Sequence, residues 1–344
     1  MHRAAHVTEA SLLSGTAKDS FASDATGGLL KEVGDLGILV MKDFTSMFTM
    51  NRDERGKALS ALRHCYDGMW VRPVGADGAR KLVWKGKLGV LGGVTRAIDH
   101  EHETISKLGE RFLFYRYPKI RKKDALRQAH KVANSRGREA VMRRELNEAV
   151  GVFFERIDFT MTPAKLSKLG EDWLAELATL AACCRSYVAR NSYNREIEDP
   201  GESEGPGRMM RALTQLWAGL LSIGVDQGRC RELLQKVALD CMPPSRRICF
   251  DYLAATGREA TAGDIAKTCL YPQQTIRRAL QDLQCHGVFE RRKEGQSELW
   301  KIAVLWRDFC TRLNVRPEIS ESVQLGGVGG GRVSSVPEDH SGSE

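Results

Sequence analysis

The run Gly37-Ile38-Leu39-Val40-Met41-Lys42-Asp43-Phe44-Thr45 sets the tightest limit on what this chain can fold into. A short apolar stretch opened by a glycine and closed by an acid has the pattern of a central strand in a parallel sheet. Both faces of such a strand are covered, so its apolar residues need not alternate. Open α/β sheets bind ligands at the carboxyl ends of their strands, and Asp43 falls there. A carboxylate in that place can hold Mg²⁺ on a nucleotide phosphate; as a plain turn acid it would only face water.

The segments that follow alternate between strand and helix. Asn51 is a good helix N-cap with acids in the first turn, and the spacing of Ala58, Leu59, Leu62 and Cys65 predicts a helix to about Tyr66, stopped by Asp67-Gly68. Trp70 to Val74 and Lys81 to Trp84 alternate around Gly75-Ala76-Asp77-Gly78, a hairpin pattern. Its strands carry Arg72, Arg80, Lys81 and Lys85. Leu88 to Thr95 reads as a second buried strand, Glu101 to Leu108 as a helix, and Arg111 to Tyr117 as a third strand. This alternation argues for a parallel sheet in residues 1–118.

Residues 119–242 form a helical region, the pattern from Lys122 to Leu239 reading as helical throughout: Lys123 to Phe154 carries many charges, Thr162-Pro163 starts a helix, Asp172 to Arg190 is strongly apolar on one side, Asp199 to Gly207 is a loop, and Arg208 to Leu221 and Arg229 to Leu239 are two more helices. Pro243-Pro244 marks a boundary. In residues 245–313, Ser245 and Thr261 are cap residues, and the turn Cys269-Leu270-Tyr271-Pro272 leads to a helix over Gln273 to His286. Two strands then flank Glu294-Gly295-Gln296. The tail, 318–344, is rich in Gly, Ser and acids and is expected to be disordered. The predicted fold class is therefore α/β plus all-α.

The chain has 344 residues, 42% hydrophobic and 28% charged, which suits a globular protein of two or three domains. Its 52 Lys and Arg against 44 Asp and Glu give a net charge of +8, favouring a polyanionic partner. No apolar run approaches the roughly 20 residues that cross a bilayer, and the first residues lack the apolar core of a secretory signal. A cytoplasmic protein without membrane contact is expected. The nine cysteines show neither C-x-x-C nor zinc-ligand spacing; they read as small hydrophobes.

The order of parts in residues 8–240 resembles the AAA+ family of P-loop ATPases, more narrowly the helicase-like ATPases of phage and mobile elements, distantly similar to minichromosome maintenance helicases. Lys42-Asp43-Phe44 looks like the end of a Walker B strand, Gly93-Val94-Thr95 like a sensor-1 strand, Gly109-Glu110-Arg111-Phe112 like an arginine-finger segment, and Gly207-Arg208-Met209-Met210-Arg211 like a sensor-2 helix. The hairpin at 70–84 sits where this group inserts DNA-contacting hairpins. The resemblance implies ATP and Mg²⁺ as cofactors, Asp43 as the metal-holding acid, Thr95 as the residue that positions water, and Arg111 as a finger reaching a neighbouring subunit of a homo-oligomer. It implies Arg208 as the residue sensing nucleotide phosphate. Each has a plainer reading: a turn acid, a strand-end hydroxyl, an Arg paired with Glu110, and a helix cap.

Two departures bear on the resemblance. The sequence contains no G-x-x-x-x-G-K-[ST], so the chain is expected to begin after the phosphate loop, to lack the Walker A segment, and not to bind ATP alone. The residue after Asp43 is Phe44, where AAA+ enzymes usually place a Glu. Residues 245–313 resemble a winged helix–turn–helix domain. That implies DNA contact through Gln273, Gln274, Thr275, Arg277 and Arg278 of the helix after the turn, and through Arg291, Arg292 and Lys293 of the wing; a winged helix used for protein contacts is the other reading. The whole reads as a DNA-associated ATPase-like fragment, or as a non-enzymatic DNA-binding protein.

Overall fold

Two long-range strand pairings build the first unit. The computed structural model describes residues 2–4, 7–14, 27–74, 80–101, 111–118, 120–158, 166–313 and 315. They form a mixed helix and strand structure that divides into two compact units, Met1–Pro244 and Ser245–Glu344.

In the first unit β1 (His2–Ala4), α1 (Glu9–Leu12) and α2 (Leu29–Val33) lead into β2 (Leu36–Met41), followed by a 3₁₀ helix over Phe44–Thr49. Then come α3 (Arg52–Asp67), β3 (Met69–Val74), β4 (Arg80–Lys85) and β5 (Lys87–Gly92). The sheet order is β1-β2-β5, parallel throughout. Leu39 and Met41 of β2 point into a core with Leu12, Leu30, Leu59 and Cys65. Asn51 accepts from the Glu54 N–H at 2.9 Å to open α3, and Gly68, with φ of 94°, closes it in the left-handed conformation. In the β3–β4 hairpin Trp70 lies opposite Trp84, both buried, and Trp84 Nε1 donates to the Gly34 carbonyl at 3.0 Å. Arg72 donates to the Leu13 carbonyl and pairs with Glu9 at 3.5 Å, so this hairpin cation anchors α1.

Several expectations are corrected. The strand at 37–45 ends at Met41, because Lys42 and Asp43 turn into the 3₁₀ helix. It is covered on one face only: Leu36 is 76% exposed and Ile38 45%, and Leu91, which lies beside Val40 on β5, is 62% exposed. Residues 111–118 are extended but join no strand. Side chains of a helix take the place of a strand neighbour there: the Phe114 N–H donates to Cys241 Sγ at 3.4 Å, and the Arg116 N–H to Asp240 Oδ2 at 2.7 Å.

The helical part comprises α4 (Lys122–Asn134), α5 (Glu139–Glu155), α6 (Lys168–Arg185), α7 (Gly207–Ser222) and α8 (Gln227–Asp240). It is not helical throughout, since β6 (Ala189–Arg190) and β7 (Ile197–Asp199) pair antiparallel between α6 and α7. The last three helices pack on one another through Leu174, Leu177, Leu213, Trp217 and Leu234. The hairpin turn at 75–79, the helix expected up to Leu108, the helix start at Thr162 and the tail 318–344 lie outside the described residues.

The second unit holds α9 (Pro244–Thr256), α10 (Ala262–Cys269), α11 (Gln273–Cys285), β8 (Phe289–Glu294), β9 (Ser297–Ile302) and α12 (Val304–Leu313). Ser245 lies inside α9 rather than capping it; Pro244 takes the first helical position, which proline suits because it has no N–H to satisfy. Thr261 and Asp264 form a reciprocal capping box on α10. Ala260 bridges to Trp300, which adds a third, one-residue strand beside β9. All nine cysteines are free; burial pushes the Cys65 and Cys310 thiols up to about 12, so they stay protonated as core residues.

Candidate functional site

The carboxyl edge of the parallel sheet brings together residues some fifty positions apart. The register between β2 and β5 runs from Leu36–Lys87 to Met41–Gly92. Past its end the Gly93 N–H donates to the Met41 carbonyl at 2.9 Å and the Phe44 N–H to the Gly93 carbonyl at 2.8 Å. Glycine is needed here because a Cβ on residue 93 would lie 2.5 Å from the Lys42 carbonyl oxygen. The two chains thus leave the sheet in contact.

Asp43 caps the 3₁₀ helix, its Oδ1 accepting from the Thr45 N–H at 3.0 Å. The Thr95 N–H donates to Thr45 Oγ1 at 3.0 Å, and the two threonine hydroxyls are 3.4 Å apart. Asp43 and Thr95 are exposed and Thr45 half-buried. Asp43 and Thr95 are therefore joined through Thr45, a residue that sequence reasoning did not single out. Only its Asp-x-Thr spacing hinted at a cap, and nothing local pointed from residue 45 to residue 95.

Arg111 belongs to the opposite end of β5. Its guanidinium makes a bidentate pair with Asp67, Nη2 to Oδ2 at 2.9 Å, and stacks over the Tyr66 ring; its side chain is 10% exposed. A cavity of about 820 Å³ opens beside it, lined in part by Leu62, Leu88, Val90, Phe112 and Arg211. Because β2 and β5 are parallel, the structure brings Asp43 and Thr95 together but leaves Arg111 a strand's length away. Arg208 is half-exposed and pairs with Glu204 at 3.8 Å, and Glu204 also accepts from the buried Arg185 at 2.8 Å. A further network went unread in the sequence. Arg116 makes a bidentate pair with Asp99, at 2.7 and 3.1 Å, while Lys236 donates to the Arg116 carbonyl and to Asp240. It ties the extended segment to α8.

In the second unit Ile276, Ala279, Leu280 and Leu283 form the buried stripe of α11. Gln273, Gln274 and Arg277 are exposed on the other side, with Thr275 and Arg278 half-buried. Arg291, Arg292 and Lys293 are exposed on β8 next to the Gly295 turn. Much of this positive charge is already matched. Glu298 of β9 accepts Arg277 at 3.2 Å and Arg291 at 2.7 Å, which links the helix to the hairpin through one carboxylate. Arg292 pairs with Glu259 at 2.6 Å. The Arg292 guanidinium, helped by Lys301, holds the Glu259 carboxyl below the usual carboxylate range. Among the described residues Lys293 makes no ion pair.

Among the described residues no helix is long and apolar enough to cross a membrane, and no three His, Cys, Asp or Glu converge on a metal-sized space. Comparison with protein-family models, with curated proteins and with solved structures finds no match to this chain.

Proposed function

We propose that this chain is a DNA-associated protein built on an ATPase-type core of the AAA+ kind, of phage or mobile-element type, that contacts duplex DNA through a winged helix in residues 245–313 and does not hold ATP by itself. The observation that carries the first half is the parallel pairing of β2 with β5, which joins Asp43 and Thr95 through Thr45 at one sheet edge. Ligands of open α/β sheets bind at the carboxyl ends of the strands, and phosphoryl transfer uses an acid to hold Mg²⁺ and a further residue to position water, roles that Asp43 and Thr95 would fill.

The fit to Mg²⁺ and ATP is half complete. Asp43 offers one carboxylate, and Mg²⁺ is commonly held by one or two carboxylates together with substrate phosphates. The other half is a loop of backbone N–H groups around those phosphates, and the sequence has no G-x-x-x-x-G-K-[ST] to form it.

For the DNA half, the helix–turn–helix order of α10 and α11, the exposed Gln273, Gln274 and Arg277, and the cations beside the hairpin turn support entry of α11 into the major groove. A second reading, a non-enzymatic DNA-binding regulator whose first unit is scaffold, draws on Arg111 and Arg208, both engaged by carboxylates of this chain.

Fluorescence anisotropy on a labelled duplex over a salt series tests the DNA claim. Arg277→Ala/Arg278→Ala lowers affinity by about 1–3 kcal/mol per lost base contact and flattens the salt dependence. Glu298→Gln acts in the opposite direction: it frees Arg277 and Arg291, worth about 1 kcal/mol at 4 Å in water, or roughly fivefold. Unchanged affinity in both variants sinks the DNA reading. Calorimetric titration with Mg-ATP separates the two readings of the first unit only if it shows saturable binding, which would establish a working nucleotide site and refute the stated inability to hold ATP.

A further inference from the structure

Helices α4 and α5 contain no buried residue, yet each carries an apolar stripe at helical spacing. On α5, Met142, Leu146, Val150 and Phe153 recur every three or four residues, and Leu146 is 64% exposed. On α4, Leu126 and Val132 are 63% and 71% exposed, with Ala129 between them. Helices of this length draw most of their stability from packing an apolar face, so these faces are suited to being covered.

Their charges are opposed. Helix α4 has four Lys or Arg against one Asp, and α5 has four Glu against two Arg. Asp124 is taken by Arg121 and Arg127, and Arg144 reaches Glu148 only at 3.9 Å. Among the described residues Lys122, Lys123, Lys131, Glu139, Glu145 and Glu155 make no ion pair.

We infer that α4 and α5 form a homodimer interface, α4 of one copy lying along α5 of a second copy and, through the two-fold axis, α5 along α4. An unrelated acidic partner would match α4 and repel α5, and a basic one the reverse. A second copy offers each helix its complement, as an isologous contact requires. At 1.5 Å per residue the helices are about 20 and 26 Å long, and at a width of about 10 Å they offer roughly 450 Å² per copy. The total of roughly 900 Å² lies below the standard interface size, so the dimer is weak and populated at micromolar concentrations and above. The interface does not depend on the DNA or nucleotide reading.

Sedimentation velocity on the full chain from about 1 to about 200 μM tests it. The wild type shifts from monomer to dimer across that range. Leu146→Glu/Phe153→Glu raises the dimer Kd at least about tenfold, because each substitution occurs twice across the axis. Lys122→Glu/Lys123→Glu/Lys131→Glu also weakens the dimer, and adding Glu139→Lys/Glu145→Lys/Glu155→Lys restores it. Circular dichroism checks that each variant keeps its helices; the charge exchange, which removes no apolar group, keeps the test valid if the Leu146 and Phe153 variant misfolds. A monomer at every concentration, a dimer indifferent to either change, or a charge exchange that fails to restore association overturns the interface.

Discussion

Replacing Gly93 by alanine tests the crossing on which the sheet edge depends. The added Cβ would sit 2.5 Å from the Lys42 carbonyl oxygen and 3.4 Å from its carbon. Backbone cannot swing aside as a flexible side chain can, so β2 and β5 must part where the Gly93 and Phe44 N–H groups donate. Overpacking costs about 1–3 kcal/mol, and weakening a backbone hydrogen bond about 1 kcal/mol more, giving roughly 3 kcal/mol. For a unit of this size each kcal/mol moves Tm by about 2–4 °C, so a loss of about 9 °C is expected. Gly89, four residues back and inside β5, supplies the control. Its Cβ would meet Ile38 Cγ1 at an ordinary 3.5 Å, and alanine there restricts the unfolded chain, so Gly89→Ala is neutral or stabilising by up to about 1 kcal/mol. Calorimetry on the full chain resolves the two. A Gly93→Ala shift under about 2 °C, or an equal loss in Gly89→Ala, refutes the parallel β2–β5 crossing and with it the meeting of Asp43 and Thr95.

Two further outcomes concern the second unit. Arg246 and Asp282 pair at 3.1 Å with side chains 5% and 15% exposed. Asp282→Asn removes the carboxylate paired with the buried Arg246 guanidinium and costs about 3 kcal/mol in urea unfolding, whereas Arg246→Met/Asp282→Leu is close to neutral; equal costs would show that the pair itself, not the removal of one charge from it, supplies the stability. The carboxyls of Asp264, held down by Thr261, of Glu259, held down by Arg292, and of Glu290, held down by the Val304 N–H, all titrate below their ordinary values. A depressed folded value stabilises above the unfolded value, 3.8 for Asp and 4.5 for Glu, and that stability is lost as pH falls through the folded value. Thermal melts of the full chain should be flat from about pH 7 to 5 for these groups and fall below about pH 4.5, with Thr261→Val showing a smaller acid loss; an acid loss as large as the wild type's would remove Thr261 as the cause.

The readings that succeeded in the sequence are those decided by near neighbours. Asn51 caps Glu54, Thr261 caps Asp264, Gly68 closes α3, and Ile276, Leu280 and Leu283 share one helix face, each within a turn or two of its partner. Three kinds of fact were not legible. The apolar run at 37–41 says strand, but the number of layers covering it depends on what else packs there, and Leu36 and Ile38 remain open. Extended pattern alone did not reveal that Cys241 and Asp240 would take the N–H groups of Phe114 and Arg116, so a strand was expected where none pairs. Partner choice among charges was hidden most deeply. Nothing in the sequence links Arg111 to Asp67, forty-four positions away, which the fold sets against it. Arg277 and Arg291 count as two positive charges in a composition and as the two arms of one carboxylate, Glu298, in the folded unit. Basic residues at helical or hairpin spacing therefore mark where an anion would be met. How strongly it is held depends on whether it can displace the acid the fold has already placed there, which is why the proposed DNA surface is tested most sharply by changing Glu298 rather than its arginines.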